Sequence, residues 1–243
     1  MSHFTVLVIG EDVEGQLLKY DENKDTPRYV SSTKEELILK GRNEIKKYKK
    51  GTYAEYLKDI KKYTDECKNP NHLKYVAEEF PLKLKWTDEE LYQDSIKYIE
   101  DAEIGSNGEI YSTYNPDSKW DCYSVGGRWA GSLKLKETVD KSKYPNVKFS
   151  WGWSDDEKRK VMTSPLVDIA QKRDIDFSNK DMNEFATYAV VKDGVWYEKG
   201  QMGWWGFSSE TDKESDKWDK SFFDKWIKDL PDDTILTLVD CHI

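Results

Sequence analysis

Apolar and polar positions alternate in two different ways along this chain. The opening run Phe4-Thr5-Val6-Leu7-Val8-Ile9 is apolar and β-branched and stops at Gly10, which predicts a buried strand. The stretch from Glu11 to Ser32 is polar, contains Pro27, and is expected to be an irregular loop. Thr33-Lys34-Glu35-Glu36 is a capping box, and the Ile38, Gly41, Ile45 and Tyr48 that follow share one helical face up to Gly51. Tyr53, Tyr56, Leu57, Ile60 and Tyr63 predict a second helix, with breaks at Asn69-Pro70-Asn71 and Pro81. Thr87-Asp88-Glu89-Glu90 opens a third helix with Tyr92, Ile96 and Ile99 inward, closed by Gly105 to Gly108.

Beyond Glu109 the period shortens. Ile110, Tyr111 and Tyr114 suggest a strand, Asn115 to Ser118 a turn, and Ser132 to Lys136 a further strand. Val147, Phe149, Trp151 and Trp153 also alternate, and Ser154 to Glu157 can cap a helix. Phe185–Val191 and Val195–Tyr197 flank Lys192-Asp193-Gly194, a hairpin signature. Trp218, Phe222 and Trp226 form an i, i+4 stripe on a last helix that also carries Phe223, Ile227 and Leu230. Thr234 to Ile243 is the closing strand. The fold class expected is α+β: one domain over 1–243, whose mixed or antiparallel sheet contains both terminal strands. A helical block at 33–103 is inserted in it or forms a subdomain.

Composition alters this picture in two ways. Apolar residues are only 37% and charged residues 35% of the 243, which points towards disorder until the aromatics are counted. With 14% aromatic residues, ten of them Trp, a few large rings can build the core that aliphatics do not. The net charge of −9 disfavours a nucleic-acid polymer as partner, and the lysines between Lys40 and Lys62 are interspersed with Glu44, Glu55 and Asp59 as on solvated helix faces. No apolar run approaches the roughly 20 residues needed to span a bilayer, so a cytoplasmic protein without a membrane partner is expected. Cys67, Cys122 and Cys241 include no CxxC and read as reduced thiols.

Candidate chemistry concentrates in Trp120-Asp121-Cys122-Tyr123-Ser124-Val125-Gly126-Gly127-Arg128-Trp129-Ala130-Gly131. Gly126 and Gly127 allow backbone N–H groups to face an anion, Arg128 can clamp a phosphate, and Trp120, Tyr123 and Trp129 can stack on a base. The plainer reading is a Gly-Gly turn with its aromatics in the core and Arg128 paired to Asp121. Adjacent Trp204 and Trp205 in the Gly200–Phe207 loop point opposite ways in an extended chain, so one ring is expected to face a ligand, a partner or another part of the chain, the plainer reading being one packed ring and one partly exposed. His3, Asp240 and His242 would meet if the terminal strands are antiparallel neighbours. They are read as edge-strand residues rather than a metal site, and Cys241 beside them as a small buried hydrophobe. Asp155-Asp156-Glu157 and Asp232-Asp233 suit helix starts and turns. No catalytic, cofactor-binding or metal motif is present, and no catalytic residue, cofactor or metal is expected.

Three segments carry a resemblance: Met1-Ser2-His3-Phe4-Thr5-Val6-Leu7-Val8, then Tyr114-Asn115-Pro116-Asp117-Ser118-Lys119-Trp120-Asp121 with Gly126-Gly127-Arg128-Trp129, and Leu238-Val239-Asp240-Cys241-His242. On these the chain resembles a group of conserved proteins encoded by bacteriophages and prophages. The resemblance implies work in the infected host's cytoplasm as an inhibitor of host defence. The function expected is sequestration, without catalysis, of a small nucleotide-derived signal by Trp120, Tyr123, Gly126, Gly127, Arg128, Trp129, Trp204 and Trp205. Two alternatives stay open: inhibition of a host defence protein by contact through an acidic, aromatic surface, and processing of a nucleotide as an enzyme.

Overall fold

A computed structural model describes residues 2–97, 99, 103–144, 166–178, 185–203 and 208–243. The opening run forms β1 (His3–Ile9), buried without a break from Val6 to Ile9. The next stretch is not the irregular loop its polarity suggests. Asp12 accepts the Gly15 N–H at 3.0 Å and starts α1 (Val13–Leu18), and β2 (Tyr29–Ser32) closes it. Six residues are too few for a stable isolated helix. What holds α1 is Leu17, fully buried among sheet residues.

Contacts divide the chain into two compact units, Met1–Asp25 with Tyr114–Ile243, and Thr26–Thr113. The second unit contains the helical block. Thr33 and Thr87 close the two capping boxes anticipated from their spacing, at the starts of α2 (Lys34–Lys50) and, further on, α7 (Asp88–Ile96). Between them lie α3 (Thr52–Lys58), α4 (Ile60–Glu66), α5 (Pro70–Lys74), a π-helical turn (Tyr75–Glu79) and α6 (Phe80–Lys83). The single helix expected over Tyr53–Tyr63 is two, because Asp59 leaves helical geometry and its carboxylate caps Lys62 N–H at 3.0 Å. Pro81 stands at the start of α6, directly after the π-helical turn that precedes it. Phe80 is buried amid the rings of Tyr48, Tyr53 and Tyr75. At Gly41 a Cβ would stand 3.2 Å from Leu91 Cδ2, so α2 and α7 approach closely there. Ile99, expected inward, is exposed beyond the end of α7. The antiparallel strands β3 (Glu103–Ile104) and β4 (Ile110–Ser112), with β2 on the other side of β4, complete this unit.

The first unit resumes with β5 (Cys122–Val125), a 3₁₀ turn (Gly127–Trp129), β6 (Leu133–Lys134), β7 (Leu166–Val167) and β8 (Ile169–Gln171). The hairpin signature gives β9 (Ala189–Lys192) and β10 (Val195–Glu198), with Asp193 and Gly194 both at positive φ as a primed turn requires. The helix with the aromatic stripe is α8 (Asp212–Trp226), and β11 (Ile235–His242) closes the chain. The sheet order is β10-β9-β1-β11-β5, with β8 also paired to β11. β1 is antiparallel to β11 and parallel to β9, so the sheet is mixed and both terminal strands are central in it. The chain is α+β. Among the described residues, no helix is long and apolar enough to cross a membrane. The alternation at Val147–Trp153, the cap at Ser154–Glu157, and Trp204 and Trp205 lie outside the described residues.

The central strands pack on both faces. On one, Leu7, Ile9, Val190, Leu236 and Leu238 pack with Phe222, Trp226 and Ile227 from α8 and its end. On the other, Phe4, Val6, Val8, Ala189, Val191 and Cys241 pack with Leu17, Tyr20 and Trp120. Tyr188 precedes β9; its hydroxyl donates to the Gly200 carbonyl. Burial, reinforced by Glu198 and Glu210, pushes this phenol up to about 12. An unfolded tyrosine ionises near 10. The stabilisation is therefore complete below pH 10 and is lost as pH rises to about 12. A spectrophotometric titration of the wild type minus Tyr188→Phe is expected to show one phenol ionising near pH 12. A difference curve centred at 10 contradicts this.

Candidate functional site

Alternation along the terminal strands divides one sheet face into two halves. Leu7, Ile9, Leu236 and Leu238 occupy the apolar half, and the same alternation continues through Thr5, His3, Asp240 and His242. The β11–β5 register sets Ser124 opposite Asp240 and Cys122 opposite His242, adding two more polar groups to that half.

The antiparallel pairing does bring His3 and His242 together, with ring centroids 4.8 Å apart and planes at 66°. Each imidazole has its own carboxylate. His3 Nδ1 lies 2.9 Å from Asp240 Oδ1, and His242 Nδ1 lies 2.6 Å from Asp121 Oδ1. A carboxylate only accepts, so both Nδ1 atoms carry the proton and, in the neutral ring, the lone pair is on Nε2. Partial burial works against ionisation of Asp121, but hydrogen bonds from His242 and Cys122 outweigh it and hold the carboxyl below its usual range. Burial, together with the charges of Asp121 and Asp240, pushes the Cys122 thiol up. Cys241 points to the opposite face and is fully buried, which raises its thiol well above the ordinary value. It is a packing residue, as its strand position suggested.

The Gly126–Gly131 segment does turn N–H groups towards anions, and those anions are the chain's own. Arg128 N–H donates to Asp240 Oδ2 at 2.9 Å, and Gly131 N–H to Asp168 Oδ1 at 2.5 Å. The glycines are required by closeness. A Cβ on Gly126 would lie 2.4 Å from Asp168 Oδ2, and one on Gly127 would lie 2.3 Å from Asp240 Cβ, both at positive φ. The segment fills the place where the edge of β11 changes partner from β8 to β5. There Gly126 N–H donates to the Leu238 carbonyl and Leu238 N–H to the Asp168 carbonyl. Burial raises the Asp168 carboxyl, although the Gly131 N–H opposes it.

The aromatics separate. Trp120 is 6% exposed in the core, its Nε1 donating to the Leu17 carbonyl at 3.3 Å, with Tyr123 edge-on at 5.0 Å. Trp120 is thereby a packing residue, and Tyr123 is partly buried against the same cluster. Arg128 is exposed and does not take Asp121, whose partner is His242. Trp129 packs over the apolar half of the sheet face, where a cavity of about 560 Å³ lies between sheet and α8. Its rings are Trp129, Phe177, Phe185 and Phe222; Thr5, Ser132 and Thr187 supply hydroxyls. Thr5 lines the cavity and stands opposite Asp240 in the register. Asp168 and Phe177 carry no site signal in the sequence, Phe185 reads there only as part of a strand, and Cys122 only as a reduced thiol. Alternation within Cys122–Val125 was the signal available for Cys122, once β5 is placed beside β11. No family model, no curated protein and no solved structure matches this chain.

Proposed function

We propose that the protein holds, without chemical change, a small ligand bearing a planar heteroaromatic ring, of the class of nucleotide-derived signals. One observation carries this reading: a cavity of about 560 Å³, walled by four aromatic rings and reaching hydroxyls at Thr5, Ser132 and Thr187. Ligand sites commonly occupy about 300–1,000 Å³, are mainly apolar, and orient their ligand with a few polar groups. The base enters the cavity against Trp129. The phosphate moves away from Gly126 and Gly127, whose segment serves Asp240 and Asp168, to the exposed Arg128 beside Trp129. In a phage-encoded protein such capture would silence a host defence signal.

The test is to mix the full chain with a panel of cyclic dinucleotides and cyclic ADP-ribose isomers, remove unbound ligand, denature, and analyse what is released. Intact ligand is expected, with Trp129→Ala abolishing capture and Arg128→Ala weakening it while leaving the fold unchanged. Altered ligand would make the protein an enzyme. Unimpaired capture by Trp129→Ala would remove the cavity from the argument. Contact inhibition of a host protein is the second reading, favoured by Leu39, Leu57 and Leu82, each more than half exposed on the helical unit. No captured ligand from the panel, with a host protein bound and that binding lost in Leu39→Ser/Leu57→Ser, would favour it.

A further inference from the structure

The polar half of the sheet face holds a donor set that the ligand cavity does not use. We propose that His3, His242 and Cys122 bind one divalent transition-metal ion of the zinc class, with Asp121 and Asp240 orienting the imidazoles. The donor chemistry suits such an ion: two imidazole nitrogens and a thiol, with carboxylate oxygens beside them. Ligand atoms of Asp121, Cys122 and His242 already lie within 4.8 Å of one another, and the His3 ring is 4.8 Å from that of His242. Donors on one tetrahedral zinc are about 3–4 Å apart. Closure thus requires the donors, His3 above all, to draw together around the ion, with Cys122 on β5 at the edge of the sheet.

A second observation points the same way. Both histidines are held through Nδ1 by a carboxylate, and this leaves Nε2 of each as the coordinating atom. Metal-ligating histidines are characteristically oriented in this manner, the carboxylate fixing the tautomer and strengthening the donor. Asp240 is itself anchored by the Arg128 N–H, so the orienting group is fixed to the backbone. On coordination Cys122 binds as thiolate and its proton passes to the solvent. The remaining position is left to Asp121 or water.

The experiment is a titration of the chelator-treated full chain with Co²⁺, under a thiol-free reductant, followed by competition with Zn²⁺. One equivalent of Co²⁺ is expected, with tetrahedral absorption and a thiolate-to-cobalt charge-transfer band, displaced by Zn²⁺. Cys122→Ser is expected to abolish the charge-transfer band, and His3→Gln to weaken binding more than about tenfold. Cys67→Ser, in the other unit, is expected to change neither. No Co²⁺ or Zn²⁺ bound by the wild type, a charge-transfer band surviving in Cys122→Ser, or a band lost in Cys67→Ser overturns the proposal. None of these results bears on the cavity, whose own test rests on Trp129.

Discussion

Replacing Gly127 by alanine is expected to destabilise the first unit by about 3 kcal/mol or more, combining left-handed backbone strain with overpacking. Two costs meet at this position. At φ +52° an L side chain sits in a region it rarely occupies. Its Cβ would also lie 2.4 Å from Asp240 Oδ2 and 2.6 Å from Ser124 Oγ. Relief requires the 3₁₀ turn to move off β11, breaking the Arg128 N–H bond to Asp240. Gly194→Ala provides the comparison. It has φ +71° and nothing within 4 Å of its Cβ, so it carries the backbone cost alone, about 1 kcal/mol. At about 2–4 °C per kcal/mol for a chain of this size, thermal melts should separate the two variants clearly. Equal melting points would mean that contact with Asp240 contributes nothing.

The same residue marks how far the sequence was legible. That a Gly-Gly-Arg segment presents N–H groups to an anion follows from residue chemistry alone. Which anion it meets does not, because Asp240 is 112 residues from Arg128 and Asp168 is 37 from Gly131. Elements specified by local pattern were readable: the β-branched β1, the Asp-Gly hairpin, and capping boxes set by a three-residue spacing. Elements that exist through distant contacts were not. The short helix α1 depends on burying Leu17 against a sheet built mostly from the other end of the chain. The break at Asp59 is a competition between a side chain and the helical backbone that a face-counting argument does not register. The meeting of His3 with His242 was legible only as a condition on strand order. The plainer reading of the Gly-Gly turn pairs Asp121 with Arg128, whereas the Asp121 carboxylate meets His242.

The acidic composition acquires a location from this geometry. Asp121 and Asp240 converge on one polar sheet face beside two histidines and a thiol, and Asp168 lies at the edge of the same loop. A face of this kind repels phosphate and attracts a cation. The apolar half two residues further along the strands suits an uncharged ring. The two halves therefore suit different chemistries, which is why the metal and the heteroaromatic ligand are separate proposals with separate variants.

Trp120→Ala is expected to cost about 3–5 kcal/mol, the usual range for deleting a buried aromatic. Its ring is 6% exposed and fills the space between α1 and the sheet face that carries Val239 and Cys241. The Nε1–H donates to Leu17 O, a carbonyl near the end of α1 that also accepts the Tyr20 N–H at 2.8 Å. Trp120→Phe separates these contributions. It retains an aromatic edge for Tyr123 and removes one of the donors to the Leu17 carbonyl, for a loss of about 0.5–1.5 kcal/mol. Denaturant unfolding of the three proteins gives both values. If Trp120 stacked on a ligand instead, alanine would leave the free protein nearly as stable as the wild type and would lower capture alone. The core position predicts the reverse: a large loss of stability without ligand, and undiminished capture by the fraction still folded. Trp129→Ala should invert that pattern, because Trp129 packs at the rim of the core and lines the cavity. Two tryptophans nine residues apart, both suited to stacking by composition, are thus distinguished by whether their removal costs stability or binding.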